Sequence, residues 1–304
     1  MPPIRTRGGF TLVEMLVVII IIAILMAILI PTINAARNSA RRAVIATEIS
    51  QLESAIEEYK TKSGGDFPPD FSQPQRVLDH LSRAFPRHVR ATAATWLAAN
   101  NNVSNPGTWR IDPAEALVIW LAGMRKDPLY PVTGQTTERH LYFDFRPERL
   151  ADKDGDGFPE YYPPGTPGSP YVYYHSSSYF IDRTQPANPF LETSYILQGS
   201  NRLHTAMYPD VAGTVYANHS ALVGAGVMGV ARPYATNTLA WAEPTKFQII
   251  AAGLDDDYGA DYYPNGYKIV PMANQVPAGL NLQAMDWDNL TSFGKGKQIK
   301  DMMP

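Results

Sequence analysis

The sequence predicts an α+β protein. One long N-terminal helix packs its distal half on an antiparallel β-sheet, and the sheet carries large insertions. Three observations lead there. Residues 10–30 carry no charged side chain except Glu14, and at 1.5 Å per residue they make a helix of roughly 32 Å, enough to cross a bilayer's hydrocarbon. Further on, Ile45, Ile49, Leu52, Ile56 and Tyr59 recur at steps of 4, 3, 4 and 3, which is one apolar stripe on a helix. The 304 residues also include 26 Pro, 22 Gly and 17 Tyr, a usage that suits a loop-rich β domain better than a helical bundle.

The first element is a short basic leader with Arg5 and Arg7. A continuous helix follows over residues 10–62, membrane-spanning over 10–30. Pro31 lies within it and removes one backbone hydrogen bond, a site for bending. Arg37, Arg41, Arg42, Glu48, Glu53, Glu57 and Lys60 occupy the faces away from the apolar stripe. Ser63-Gly64-Gly65 ends the helix and Phe67-Pro68-Pro69 forbids its resumption. Helical spacing returns over Val77 to Trp96 and Pro113 to Met124, and residues 161–175 form a Tyr/Pro/Gly loop-and-strand region. Tyr142, Phe143, Phe145, Tyr171, Tyr173, Tyr174 and Tyr179 are expected to pair across strands, with a partner-binding surface as the other reading. Length allows two ordinary domains, or one with insertions.

Glu14 sets the chemical problem. A carboxylate at the centre of a bilayer costs about 2.5–3.5 kcal/mol, less near the edge. No Lys or Arg follows it for several helical turns. Cleavage after Gly9 would give Phe10 a free amine, positive at neutral pH, and a neighbouring copy's amine could then pair with Glu14. Gly9-Phe10-Thr11-Leu12-Val13-Glu14 resembles the processing site of type IV prepilins and type II secretion pseudopilins. That resemblance implies a prepilin peptidase that cuts between Gly9 and Phe10 and methylates the new N-terminus. It also implies a pilin-like fold, with assembly roles for Glu14 and Pro31 in a filament. An ordinary secretory signal, with its cut at Asn34-Ala35-Ala36, and a plain single-span anchor compete with this reading. Both leave Glu14 and the Gly-Phe junction unexplained.

Tyr59-Lys60 through Phe67-Pro68-Pro69 is similar to the helix exit of the major pseudopilin of type II secretion. Pro170-Tyr171-Val172-Tyr173-Tyr174 resembles its first sheet strand, and Phe247 to Gly253 its central strand. Asp288 to Phe293 resembles its closing acidic turn and strand. The chain is about twice the length of a minimal pseudopilin, and the extra residues fall near 72–165, 176–240 and 260–286. The resemblance implies a cleaved leader over 1–9 and a periplasmic globular domain over 63–304. The partners it implies are the peptidase, copies of the chain with other pseudopilins, and an inner-membrane assembly platform.

Net charge is −3, and loss of Arg5 and Arg7 with residues 1–9 takes it to −5, which argues against a nucleic-acid partner. The basic leader stays on the cytoplasmic side and the bulk is sent outward. With no Cys, no disulfide staples the exported region.

Two acidic loops are calcium candidates. Asp152, Asp154 and Asp156 stand at alternate positions before Gly157, with the Phe158 carbonyl and Glu160 at the seventh and ninth positions. Calcium takes six to eight oxygens, and such a loop curls its acids around one point. Pro163 occupies the twelfth position, where an EF-hand needs its bidentate Glu, so this is a calcium-loop candidate and not an EF-hand; a solvated acidic turn is the alternative. Asp255-Asp256-Asp257, with Asp261, follows the strand ending at Gly253. The pseudopilin resemblance implies a calcium site there, with Asp255, Asp257 and Asp288 as candidates. An exposed acidic turn is the alternative. A metal clip would supply the cross-link that cysteines do not.

Gly224-Ala225-Gly226-Val227-Met228-Gly229 matches G-x-G-x-x-G, but Pro233 stops any helix after one turn, so a dinucleotide site is not expected. The six His form no metal pair, and no G-x-S-x-G elbow occurs. The expected function is structural, not enzymatic: a subunit of a pseudopilus or type IV pilus-like filament serving secretion. A minor, tip-located or adhesive pilin is one alternative, since the insertions leave little room for repeated packing. A membrane-tethered hydrolase or carbohydrate-binding protein is the other.

Overall fold

The computed structural model describes residues 11–101, 110–153, 155–181, 190–198, 201–207, 229–231, 233–237, 240–258, 268–269, 287–295 and 297–302. The chain divides into two compact units at Arg41/Arg42. The first is the apolar half of helix α1 (Leu12–Lys62), and it passes through Pro31 without a break in the helix. The helix ends where expected: Gly64 and Gly65 take φ of 85° and 79°, a left-handed conformation that favours glycine.

The second unit holds the rest of α1 and the globular part. Ile45, Ile49, Leu52, Ile56 and Tyr59 are all fully buried, so the predicted stripe is the seam. Helices α2 (Pro74–Ala84) and α3 (Arg90–Asn100) follow. The 77–96 stretch is therefore two helices and not one, because Pro86 cannot continue α2. A short helix α4 (Ala116–Val118) runs into one π-helical turn over Ile119–Gly123.

Twelve short strands are described: β1 (Leu150–Ala151), β2 (Glu160–Tyr161), β3 (Val172–His175), β4 (Tyr179–Ile181), β5 (Phe190–Gln198), β6 (Asn201–Met207), β7 (Gly229–Ala231), β8 (Tyr234–Asn237), β9 (Ala240–Trp241), β10 (Phe247–Ala251), β11 (Lys268–Ile269) and β12 (Leu290–Thr291). The sheet that organises the core has the order β12-β10-β3, antiparallel throughout, with Ile249 opposite Tyr173 and Ala251 opposite Leu290. β10 is thus its central strand, as the resemblance implied. β4, β5, β6 and β7 make a second antiparallel sheet. β8 pairs antiparallel with β9 and parallel with β11, the one departure from an all-antiparallel arrangement among the described residues.

Side chains on a strand alternate between faces. Tyr171, Tyr173, Phe247, Ile249 and Ala251 join the core that contains the α1 stripe. Val172, Tyr174 and Ile250 enter a second core with Tyr234, from the predicted 176–240 insertion, and with Trp241 and Tyr258. The central sheet is therefore buried on both faces. Buried Gln248 ties the layers: its Oε1 accepts from the Tyr234 amide at 2.7 Å, and its Nε2 donates to the Tyr234 and Ala242 carbonyls at 3.0 and 2.7 Å. Tyr142, Phe143 and Phe145 lie outside strands, contrary to expectation. They pack edge-on or tilted in the first core, Tyr142 on Tyr59 and Phe145 on Tyr161, because the irregular 140–146 segment leads them over the helix seam.

Glu48 departs most from the predicted pattern. It sits on the buried face of α1, between Ile45 and Leu52, and not on the polar one. Arg149 grips both of its oxygens, with Nη1 to Oε2 at 2.8 Å. Tyr161 donates to Oε1 at 2.9 Å and Tyr171 to Oε2 at 2.7 Å. Burial opposes the charge, but the bonds from Arg149, Tyr171 and Tyr161 outweigh it and hold the carboxyl below its usual range. Nearby, His80 is buried with Nε2 2.9 Å from the Tyr59 hydroxyl, and burial pulls its pKa down to about 4.

Replacing Glu48 by Ala leaves the Arg149 charge partly buried without its partner. Denaturant unfolding of the detergent-solubilised chain should show a loss of about 3–5 kcal/mol, and an unchanged midpoint would contradict the clamp. His80 binds its proton more weakly in the folded state than in the unfolded one. Its contribution is therefore complete above the unfolded value of about 6.5 and declines as pH falls toward 4, by up to about 3 kcal/mol. His80→Phe should flatten that part of the stability–pH curve relative to the wild type; parallel curves would show that His80 does not titrate this way.

Candidate functional site

Gly9 and Phe10 lie outside the described residues. The helix start beside them is built by Thr11 and Glu14. The Glu14 carboxylate accepts from the Thr11 amide at 2.8 Å and from Thr11 Oγ1 at 2.9 Å, while Thr11 Oγ1 accepts from the Glu14 amide at 3.2 Å. This is a reciprocal capping box in which Thr11 caps and Glu14 reaches back. It uses the hydrogen-bonding capacity of Glu14 without removing its charge. The carboxylate is held at the amide one residue past the proposed new N-terminus. Along the first unit the large apolar side chains from Leu12 to Ile33 are exposed, Leu12 at 83 %. The helix containing this window is long and apolar enough to span a membrane. At Pro31, where an amide donor is missing, the Thr32 hydroxyl donates to the Leu29 carbonyl at 2.8 Å.

The first acidic loop turns on its own backbone. Asp152 accepts from the amides of Gly155, Asp156 and Gly157 at 2.8, 3.1 and 2.9 Å, and Asp156 Oδ1 accepts from the Phe158 amide at 2.8 Å. Asp154 lies outside the described residues. Glu160, on β2, is fully buried and accepts from the Tyr162 hydroxyl at 2.5 Å. A fully buried acid from another segment, Glu115, adjoins this loop. Its Oε2 accepts from the Asp112 amide at 2.5 Å, and Asp112 Oδ1 accepts from Ala114 at 2.6 Å. Its Oε1 is buried and has no hydrogen-bond partner. Burial first, then the charges of Asp112 and Asp156, push the Glu115 carboxyl well above the usual range. Loop spacing gives no hint of Glu115. The signal that does exist is the Asp112-Pro113-Ala114-Glu115 capping-box pattern.

The second acidic loop follows β10. Asp288 Oδ2 accepts from the Leu254 amide at 2.7 Å, and its Oδ1 is buried without a hydrogen-bond partner. Gly253 is needed here: a Cβ on it would lie 1.8 Å from Asp288 Oδ2. Lost hydration first, and the Asp288 charge second, raise Asp255 to about 6. An orphaned buried carboxylate oxygen beside a second acid is an arrangement that a cation completes. Asp256 is turned elsewhere, accepting from Gly168 and Ser169 at 2.6 and 2.7 Å. Asp257 donates its amide to Asp255 Oδ1 at 3.2 Å, and Asp261 lies outside the described residues. Among the described residues no three His, Asp or Glu converge as a ready ligand group.

Two features bear on catalysis. Asp70, His175, Ser72, Ser177 and Ser178 come together. Asp70 accepts from the His175 backbone amide at 2.9 Å and not from its ring, and His175 Nδ1 is 2.8 Å from Ser177 Oγ. The group ties the helix exit to the end of β3 and lacks the carboxylate-to-imidazole link of a Ser-His-Asp relay. A cavity of about 470 Å³ is lined by Trp96, Leu141, Phe143, Phe145 and Phe158, and Asp144 is the one acid among its described lining residues. It therefore lacks the paired carboxylates of a glycoside hydrolase. Of the G-x-G-x-x-G run only Gly229 is described, in β7 opposite Leu197.

Residues 4–30 match the family described as the prokaryotic N-terminal methylation motif. The match covers the leader, the Gly9–Phe10 junction and the apolar start of α1. No curated protein and no solved structure matches the chain. The motif supports a type IV pilin-like subunit, processed by a peptidase and assembled into a filament, without separating pilus from pseudopilus.

If Asp288 raises Asp255 through its charge, Asp288→Asn should bring the Asp255 titration midpoint down from about 6 toward the ordinary value near 3.9. Carboxyl chemical shifts followed against pH read this directly; a midpoint that stays put would show that the two acids do not share a site.

Proposed function

We propose that the chain is a structural subunit of a periplasmic pseudopilus-like filament that serves protein secretion. A prepilin peptidase cuts it after Gly9 and methylates Phe10. The observation that carries this reading is Glu14: the sole acid of the exposed apolar half of α1, held at the amide one residue past the proposed new N-terminus. Before assembly the apolar half of α1 lies in the inner membrane with the globular unit on the periplasmic side. On assembly that half trades lipid for neighbouring copies of itself. The Phe10 amine of an adjoining subunit then neutralises Glu14 and sets the axial step, since an unpaired charge among packed apolar helices costs several kcal/mol. Pro31 and Thr32 mark where the helix ladder is weakest and can yield during that transfer.

Two calcium sites belong to the reading. One takes Asp255, Asp257 and Asp288, which fit a cation through the orphaned Asp288 oxygen. The other takes the 152–160 loop through Asp152, Asp154, Asp156, the Phe158 carbonyl and Glu160. Bound calcium would neutralise each acid group and clamp its loop without cysteines.

A tip-located or minor subunit is favoured by one observation, the bulk of the second unit. The added 72–165 segment packs mainly in the first core with α1, and part of the 176–240 segment packs in the second.

Glu14→Ala should leave cleavage and methylation intact while filaments fail to form, scored by shearing and electron microscopy in cells that carry the matching assembly machinery. Normal filaments from that variant would remove the proposed role.

A further inference from the structure

Between Glu14 and Glu48 the chain holds three arginines, Arg37, Arg41 and Arg42, and no acid. Glu48 itself is taken by Arg149. Arg37 and Arg41 are exposed, and among the described residues no carboxylate pairs with either. In the orientation proposed above they stand on the outward side of the span, where the positive-inside tendency gives no reason for them. An ordinary solvated helix face mixes both signs of charge; this stretch carries one.

Helix geometry puts the two arginines on one face. Asn34, Arg37, Asn38 and Arg41 follow at i, i+3, i+4 and i+7 of α1, and all four are exposed. The exposed large apolar side chains run as far as Ile33. Glu14 to Ile33 is 20 residues, roughly 30 Å of helix, which is the thickness of a bilayer's hydrocarbon. Arg37 therefore lies about 6 Å beyond that layer, within the ~5–8 Å occupied by headgroups. Arg41 is one turn further out. Side chains on a helix lean toward its N-terminus, which here is toward the membrane. Both guanidinium groups thus reach back to the level of the lipid phosphates, with their stems along the helix.

We propose that this face of residues 34–41 binds the phosphodiester headgroups of anionic phospholipid in the leaflet that the helix leaves through. A guanidinium offers two parallel N–H donors to one phosphate, and the side-chain amides of Asn34 and Asn38 add donors on the same face. This rests on the membrane placement of α1 given under the proposed function and adds to it a lipid class and the residues that hold it. The contact fixes the depth of the helix, and with it the depth of Glu14 near the opposite surface. A subunit that leaves for a filament gives up these headgroups as well as the lipid chains.

Electron spin resonance of spin-labelled lipids tests this on the full chain reconstituted into phosphatidylcholine vesicles. Spin-labelled phosphatidylglycerol should associate with the wild type at least about fivefold more strongly than spin-labelled phosphatidylcholine, the worth of one arginine at an anionic surface. Arg37→Gln with Arg41→Gln should remove most of that preference, and Arg37→Lys with Arg41→Lys should keep part of it. Both positions are exposed, so the variants should fold and insert as the wild type does. No preference in the wild type, a preference unchanged in the Gln variant, or one lost only with Arg5→Gln and Arg7→Gln would overturn the proposal and leave the span standing. A preference abolished by inorganic phosphate at constant ionic strength would overturn the lipid assignment in favour of a soluble anion. A wild type that does not float with the vesicles would remove the spanning reading, and this proposal with it.

Discussion

One carboxylate in an apolar helix constrains everything that follows. A bare Glu14 charge costs energy in lipid and more among packed apolar helices, and the opposite charge that the proposed cleavage would create nearby is the amine of Phe10. Thr11 answers its hydrogen bonds and leaves its charge unanswered. That split matters. The capping box fixes the helix start and holds the carboxylate at the Thr11 amide. In the proposed filament the helix is complete as a helix, and its charge is balanced by a neighbouring subunit.

The same helix has a second task at its other end. From Ile45 to Tyr59 it is the spine of the first core, and Glu48 fixes its register there through Arg149, Tyr161 and Tyr171. Apolar contacts alone would tolerate a slip by one turn, because the stripe repeats. A buried ion pair with two phenol donors does not, because any slip leaves charges buried and unpaired. The clamp ties α1 to Arg149, Tyr161 and Tyr171 at one defined position. The Asp70 group and the hydroxyl and indole donors on Pro68 and Pro69 secure the helix exit in the same polar manner. Together they hold a domain that has no disulfide.

Much of this architecture was legible in the sequence, and the reasons are local. The 21-residue apolar run, the 4-3-4-3 stripe and the Gly-Gly exit each follow from short-range periodicity and backbone preference, and each lies where expected. β3, β10 and β12 were legible by resemblance and by their β-branched and aromatic residues. Glu48 was not legible, because a Glu at that spacing looks like any solvated helix residue until its partners, more than 100 positions away, are in place. Glu115 was hidden for the same reason. The aromatics at 142, 143 and 145 suit a strand by residue type, but packing on Tyr59 and Tyr161 decided their place. The N-terminal motif was legible because it is short and contiguous, and residues 4–30 match the methylation-motif family.

The central claim is that proteolysis creates the charge that Glu14 needs. Intact mass and N-terminal sequencing of the protein taken from membranes test it most directly. The account predicts a chain that begins at Phe10 and carries one methyl group on its amine. A mature protein that begins at Met1, or beyond Ala36, would contradict it.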